Sequence, residues 1–235
     1  MERYLDRVEI LVGSEKLTKL QQARVCVIGL GGVGGYAVES LARSGVGELI
    51  IVDKDVVMPS NLNRQVIATK DTLNMSKTQA AKARINAISD TKVVAIDAFV
   101  DDKFEIPDCD YVIDCIDTLT SKFYLQKQAY QKKIPCISSL GMANRFDPSK
   151  ISYTTLEKTS YDPLARAFRQ LVRKEHYHHR IRVVYSSEKP VIATLANEAG
   201  RTNKEKYPLG SLIFVPAAAG LLLASVVIKE LLDKE

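Results

Sequence analysis

The 235-residue chain is 46% hydrophobic and 26% charged, which excludes a disordered chain and leaves material for one sizeable core. Its net charge of +5 favours anionic partners such as nucleotides or RNA without selecting one. The four cysteines, Cys26, Cys109, Cys115 and Cys136, form no Cys-x-x-Cys pair. Neither a zinc site nor a secreted disulfide scaffold is expected, and a reducing, cytoplasmic setting fits best.

Residues 1–11 mix Glu2, Arg3, Asp6, Arg7 and Glu9 among apolar ones, which predicts no secretory leader. A β-rich run at 25–28 is followed by the helical period Val33, Ala37, Val38, Leu41. The run 49–52 precedes the period Ala81, Ile85, Ile88. Strand patterns at 92–96 and 111–116, a helix over 119–132 and a strand over 134–138 continue the alternation. Strand, helix, strand in series predicts an α/β fold: a Rossmann-like, mostly parallel, right-handed sheet with helices on both faces.

After Gly141 the rhythm changes to an extended run at 151–156, a helix opening at Asp162-Pro163 and a strand at 182–185. The polar stretch 186–208 is far longer than the usual loop of about 4 to 6 residues, so it reads as a lid or partner-binding segment. The uncharged stretch 209–228 reads as a buried helix, with a membrane contact as the alternative. Residues 1–235 are expected to form a single domain, with a nucleotide-binding core at about 22–145 and a substrate- or partner-side extension at about 146–235.

The run Gly29-Leu30-Gly31-Gly32-Val33-Gly34-Gly35 follows a strand and opens a helix. In that context glycines let phosphate groups approach backbone N–H groups at a helix N-terminus. The second strand ends at Asp53, at the distance of about 20 residues where a carboxylate receives ribose hydroxyls. These two features point to an adenine nucleotide and leave NAD and ATP both open. The next segment decides between them, since Asp55, Asn61, Arg64, Gln65 and Lys77 gather two cations and two amides near the strand ends. A triphosphate uses such cations to neutralise charge on a departing pyrophosphate. Asp117, in Asp114-Cys115-Ile116-Asp117, is the expected magnesium ligand, and Asp114 reads as structural. Taken singly, each has a plainer explanation: helix packing for Gly32 and Gly35, a turn for Asn61, solvated cations for Arg64 and Lys77.

Gly29 to Gly34, Asp53, the run Ser60-Asn61-Leu62-Asn63-Arg64-Gln65, Lys77 and Asp114-Cys115-Ile116-Asp117 resemble, in order, the signature of the adenylating superfamily of ubiquitin-activating enzymes and the bacterial thiamine and molybdopterin adenylyltransferases. The resemblance implies that a carboxylate attacks the α-phosphate of ATP. It also implies a homodimer in which Arg7 enters the neighbouring nucleotide site, where a local pair with Glu9 is the plainer alternative. This chain lacks the two zinc pairs of several relatives and any cysteine beyond Cys136, which weakens a thiolation or conjugation role.

Three further stretches, 37–47, 159–166 and 184–190, are similar to the tRNA threonylcarbamoyladenosine dehydratases. That likeness implies activation of a threonyl carboxylate on a modified adenosine of tRNA, followed by ring closure by the adjacent carbamoyl group. An intramolecular nucleophile needs no catalytic thiol. Arg166, Arg169, Arg173, Lys174, Arg180 and Arg182 concentrate charge that could meet RNA phosphates, or form an ordinary solvated helix face. Ser186, Ser187 and Glu188 could contact substrate or a monovalent cation, or simply end a strand. His176, His178 and His179 read as a polar turn after a helix rather than a metal site. The implied partners are tRNA and a second copy of the chain; a sulfur-transfer or ubiquitin-like protein on 186–208 is a further option, and DNA is not expected.

Overall fold

The computed structural model describes residues 3–191 and 209–233. Most of the loop expected at 186–208 therefore lies outside the described residues. One seven-stranded sheet organises the chain, in the order β3-β2-β1-β4-β5-β7-β6. Its strands are β1 (Arg24–Ile28), β2 (Glu48–Asp53), β3 (Lys92–Asp97), β4 (Tyr111–Asp114), β5 (Cys136–Ser139), β6 (Ile151–Thr155) and β7 (Arg182–Ser186). Every neighbouring pair is parallel except β6 with β7. The mostly parallel α/β sheet expected from the alternation is thus the observed fold, and it continues unbroken into the residues beyond 146.

Period-2 alternation decides what each face covers. Val25, Val27, Leu49 and Ile51 point to one face, where they pack with α3 (Gly34–Arg43), α4 (Lys77–Asn86) and α7 (Phe214–Leu232). Cys26, Ile28, Ile50 and Val52 point to the other, against Leu125 and Ala129 of α5 (Leu119–Gln131) and the buried Val100 and Ile106. A third cluster seats Phe168 and Val172 of α6 (Pro163–Lys174) on Val183 and Tyr185 of β7.

Helix α7 is long and apolar enough to cross a membrane by composition. Its stripe of Val215, Ala219, Leu223, Val227 and Leu231 is instead buried in the main core. A Cβ on Gly220 would lie 2.4 Å from the Val33 carbonyl oxygen, so glycine lets α7 rest on the start of α3. Glu230 fastens its far end, accepting from Arg182 at 2.5 Å and from the Tyr111 hydroxyl at 2.8 Å. The core-helix expectation describes this segment.

Two features differ from the sequence reading. The N-terminal stretch forms two helices, α1 (Asp6–Val12) and α2 (Ser14–Gln22), joined at Gly13 with φ +86°. Leu17 and Leu20 bury the second of them. Strand β4 stops at Asp114 rather than Ile116, where the Asp114 side chain takes the Ile116 N–H at 3.1 Å and turns the chain.

Candidate functional site

The strand order places β2 and β3 on one side of β1, and β4 and β5 on the other. The chain thereby diverges from β1 in both directions, and a crevice opens beyond the carboxyl ends of β1 and β4, where open α/β sheets bind ligands. A cavity of about 380 Å³ occupies that place. Gly29, Gly31, Gly32, Asp53, Asp55, Asn61, Arg64, Gln65, Lys77 and Asp117 all line it. Of the nucleotide-site residues expected from sequence, Gly34 and Arg7 do not.

Each glycine has its own reason. Gly29 has φ +92°, and a Cβ there would meet the Cys115 carbonyl oxygen at 2.8 Å. Gly34 is a packing residue, since its Cβ would stand 1.8 Å from the Gly29 carbonyl oxygen. A Cβ on Gly31 would meet no protein atom within 4 Å, so that position faces the cavity and a side chain would project into it. Gly32 both lines the cavity and admits Pro216 of α7, whose Cβ would be 3.2 Å from an added Cβ. Gly35 is explained by packing against Val66.

Asp53 shapes the loop as well as facing the cavity. Its Oδ2 accepts from the Leu30 N–H at 2.6 Å, and its Oδ1 from the Asp55 N–H at 2.9 Å. Carboxylate oxygens have further lone pairs, which leaves acceptor capacity for a ribose hydroxyl. Lys77 is not a solvated cation. It is 6% exposed, opens α4 behind the Ser76 cap, and sets its Nζ 2.9 Å from Asp55 Oδ2 and 3.8 Å from Asp53 Oδ1. The half-buried Arg64 donates to the Ser60 carbonyl at 2.8 Å and to Asn63 Oδ1 at 2.9 Å. Among the described residues it has no carboxylate partner. Asn61 is a turn former after all, accepting from the Met58 N–H at 3.0 Å, although it also lines the cavity.

Gln65 is 5% exposed, and its Oε1 is the one buried side-chain oxygen or nitrogen without a hydrogen-bond partner among the described residues. A buried acceptor of this kind calls for a donor from a bound molecule. The open space at Gly31, the orphaned Gln65 oxygen and two cations within a mixed polar cavity fit an adenine nucleotide bearing phosphates. Asp117 is exposed at the cavity wall, and an open carboxylate beside phosphates suits a hard cation.

Asp114 is fully buried, as is its partner Lys122, with Nζ to Oδ2 at 2.9 Å. The Ser138 hydroxyl donates to Asp114 Oδ2 at 2.5 Å, and Asp114 Oδ1 accepts from the Ile116 N–H at 3.1 Å. This network fixes the turn that carries Asp117, in keeping with the structural role read for Asp114. Cys115 lines the cavity, but desolvation and then the charge of Asp114 push its thiol far above the ordinary range. It is therefore a poor nucleophile at neutral pH.

Sequence reasoning missed Ala98, Phe99 and Val100, which follow β3 and line the cavity. Phe99 is 49% exposed, with the Lys54 ammonium 5.2 Å from its ring centre. Their signal was positional, since β3 ends at the same sheet edge as β1.

The extension residues lie elsewhere. Ser187 bonds the Lys150 carbonyl through its N–H at 2.9 Å, and Ser186 Oγ accepts from the Glu188 N–H at 3.2 Å. The Glu188 carboxylate accepts from the N–H groups of Phe146 and Asp147. Ser187 and Glu188 hold the 144–150 turn, and none of the three lines the nucleotide cavity. Arg166 is exposed on α6 outside the cavity, and Arg7 is exposed on α1. Glu9 and Asp6 pair with Arg3, and no ion pair of Arg7 is found among the described residues. His179 stacks on Tyr130 with ring centres 3.5 Å apart, so the histidines belong to a turn.

The chain matches the ThiF family over residues 5–235. It is 37% identical over 243 residues to the tRNA threonylcarbamoyladenosine dehydratase of Bacillus subtilis, covering 99% of this chain and 96% of that one. The structure of the E. coli tRNA N6-threonylcarbamoyladenosine dehydratase in complex with ATP superposes with a TM-score of 0.86 at 29% identity, covering 97% of this chain and 93% of that one. The molybdopterin-synthase adenylyltransferase of Haemophilus influenzae is 36% identical over 160 residues, 66% of this chain and 65% of its own.

Proposed function

The chain belongs to the ThiF family, and from that membership and the cavity we propose that it is an ATP-dependent tRNA threonylcarbamoyladenosine dehydratase. The observation that carries this reading is the adenine-nucleotide cavity, set within a chain that matches the dehydratases from end to end.

The threonyl carboxylate of the modified adenosine attacks the α-phosphorus of ATP, forming a carboxyl–phosphate bond and releasing pyrophosphate. The neighbouring carbamoyl group then attacks the activated carbonyl carbon. AMP leaves with one carboxylate oxygen, a proton is lost, and the nucleoside is lighter by one water. Arg64 and Lys77 stabilise the charge that grows on the phosphates, Asp53 receives the ribose, and the Gly31 backbone lets the phosphates approach. Magnesium bound with ATP at Asp117 would add further charge neutralisation. Arg7 and the neighbouring Ile10 and Leu11, 79% and 84% exposed, support a homodimer in which Arg7 reaches the partner's site. A soluble, cytoplasmic setting suits an enzyme acting on tRNA.

The ring closure is intramolecular, so a thiol has no role in it. Replacing Cys115 by alanine is expected to change AMP release by less than about threefold, as read in a coupled AMP assay. A loss of activity with ATP binding intact would instead make that cysteine a covalent participant.

The test of the function itself is AMP and pyrophosphate release with three candidate acceptors: tRNA bearing threonylcarbamoyladenosine, the same tRNA lacking the modification, and a ubiquitin-like protein ending in diglycine. Release with the first alone supports the reading. Release with the diglycine protein alone would replace it with adenylation of a carrier protein.

A further inference from the structure

The two packed helices α5 and α6, and the turn that follows α6, present an uncompensated basic surface. Lys127 and Lys133, with Arg173, Lys174 and Arg180, are exposed there. None of them has a salt-bridge partner among the described residues. Glu175 is the sole acidic residue in 119–134 and 163–181. Three cations of the same stretch are spent internally: Lys122 on Asp114, Lys132 on the Ile106 carbonyl, and Arg169 on the Leu156 and Thr159 carbonyls.

The turn that carries Arg180 is built to hold its shape. His176 has φ +50° and ends the helix, with its N–H on the Arg173 carbonyl at 3.2 Å. The chain then folds back so that Tyr177 packs edge-on to Phe123 and bonds the Gln126 carbonyl at 3.1 Å. His179 lies flat on Tyr130, itself 54% exposed. Fixed cations around exposed aromatic rings are the chemistry of nucleic-acid contact.

Resting on the functional reading above, we propose that this surface docks the phosphate backbone of the tRNA, away from the modified nucleotide. Thr118 and Ser121, at the start of α5, line the cavity, and the basic surface gathers around the other end of this 13-residue helix. The distance from Ser121 to Tyr130, on which the turn packs, is roughly 14 Å along the helix axis. A small nucleoside could not bridge them, whereas a structured RNA can occupy both. Charge complementarity selects an anionic polymer. The surface cannot read sequence, so it contributes affinity and not choice of base.

The test uses the full chain with Arg173→Ala, Lys174→Ala and Arg180→Ala combined, beside the charge-preserving set Arg173→Lys, Lys174→Arg and Arg180→Lys. Neutralisation is expected to raise KM for modified full-length tRNA about tenfold, with kcat within about twofold. The slope of log Kd against log salt should fall by about two, as expected for three lost phosphate contacts. The charge-preserving set should behave as wild type, and a short single-stranded oligonucleotide bearing the modified adenosine should be converted equally by all three proteins. An unchanged KM and salt slope, in a wild-type background that converts tRNA, would overturn the surface and leave the function. A wild-type chain that binds tRNA with the larger slope but releases no AMP would overturn the function and leave the surface. Loss of binding to an acidic protein, with tRNA constants unmoved, would also refute the assignment.

Discussion

Replacing Asp117 by alanine is expected to lower AMP release by about a hundred- to a thousandfold while shifting stability by no more than about 0.5 kcal/mol. The two halves of this expectation have separate causes. Asp117 is exposed at the cavity wall and follows a turn held by the Asp114 carboxylate, so its own side chain supports no packing. What it offers is an open carboxylate in the same cavity as the cations Arg64 and Lys77. Its removal takes away the proposed magnesium ligand and leaves the nucleotide's negative charge less balanced as pyrophosphate departs. The measurement is AMP release at saturating ATP across a magnesium titration, with melting temperature recorded alongside. Full turnover by the folded variant at ordinary magnesium would remove Asp117 from the site chemistry.

Substituting Lys122 by methionine should have the opposite profile, a loss of fold stability of about 3 to 5 kcal/mol. The ammonium and the Asp114 carboxylate are both fully buried, so deleting the cation leaves a buried negative charge with only the neutral donors of Ser138 and Ile116. For a chain of this size that corresponds to a fall of roughly 6 to 20 °C in melting temperature. Adding Asp114→Asn should recover part of the loss, because the stranded charge is then gone. A single variant that melts within about 2 °C of wild type would show that water reaches Asp114 and relieves it.

The sheet was legible because its strands are short apolar runs separated by helical periods, and every parallel strand from 24 to 139 coincides with one of those runs. The nucleotide side was legible for a different reason. Phosphate recognition uses backbone, and backbone approach demands glycines and nearby cations at fixed places in the chain. Lys122 and Gln126 were not singled out, although they stand at core-facing helical positions with Phe123 and Ala129. A cation at such a position signals a buried partner, and the partner, Asp114, lies eight residues earlier in the chain. Helix α1 escaped notice because it buries no residue, and α2 because its charged residues hide a short apolar stripe, Leu17 and Leu20. The contacts of Ser187 and Glu188 could not be read locally, since their partners at 145–150 are about forty residues away.

The central claim is that the carboxylate of the modified tRNA nucleoside is adenylated and then attacked from within the same nucleoside. It is tested most directly with tRNA whose threonyl carboxylate carries oxygen-18, followed by mass spectrometry of both the AMP and the digested nucleoside. The account predicts one heavy oxygen in AMP and a nucleoside lighter by one labelled water. Unlabelled AMP, or label appearing in inorganic phosphate with ADP as the product, would contradict it.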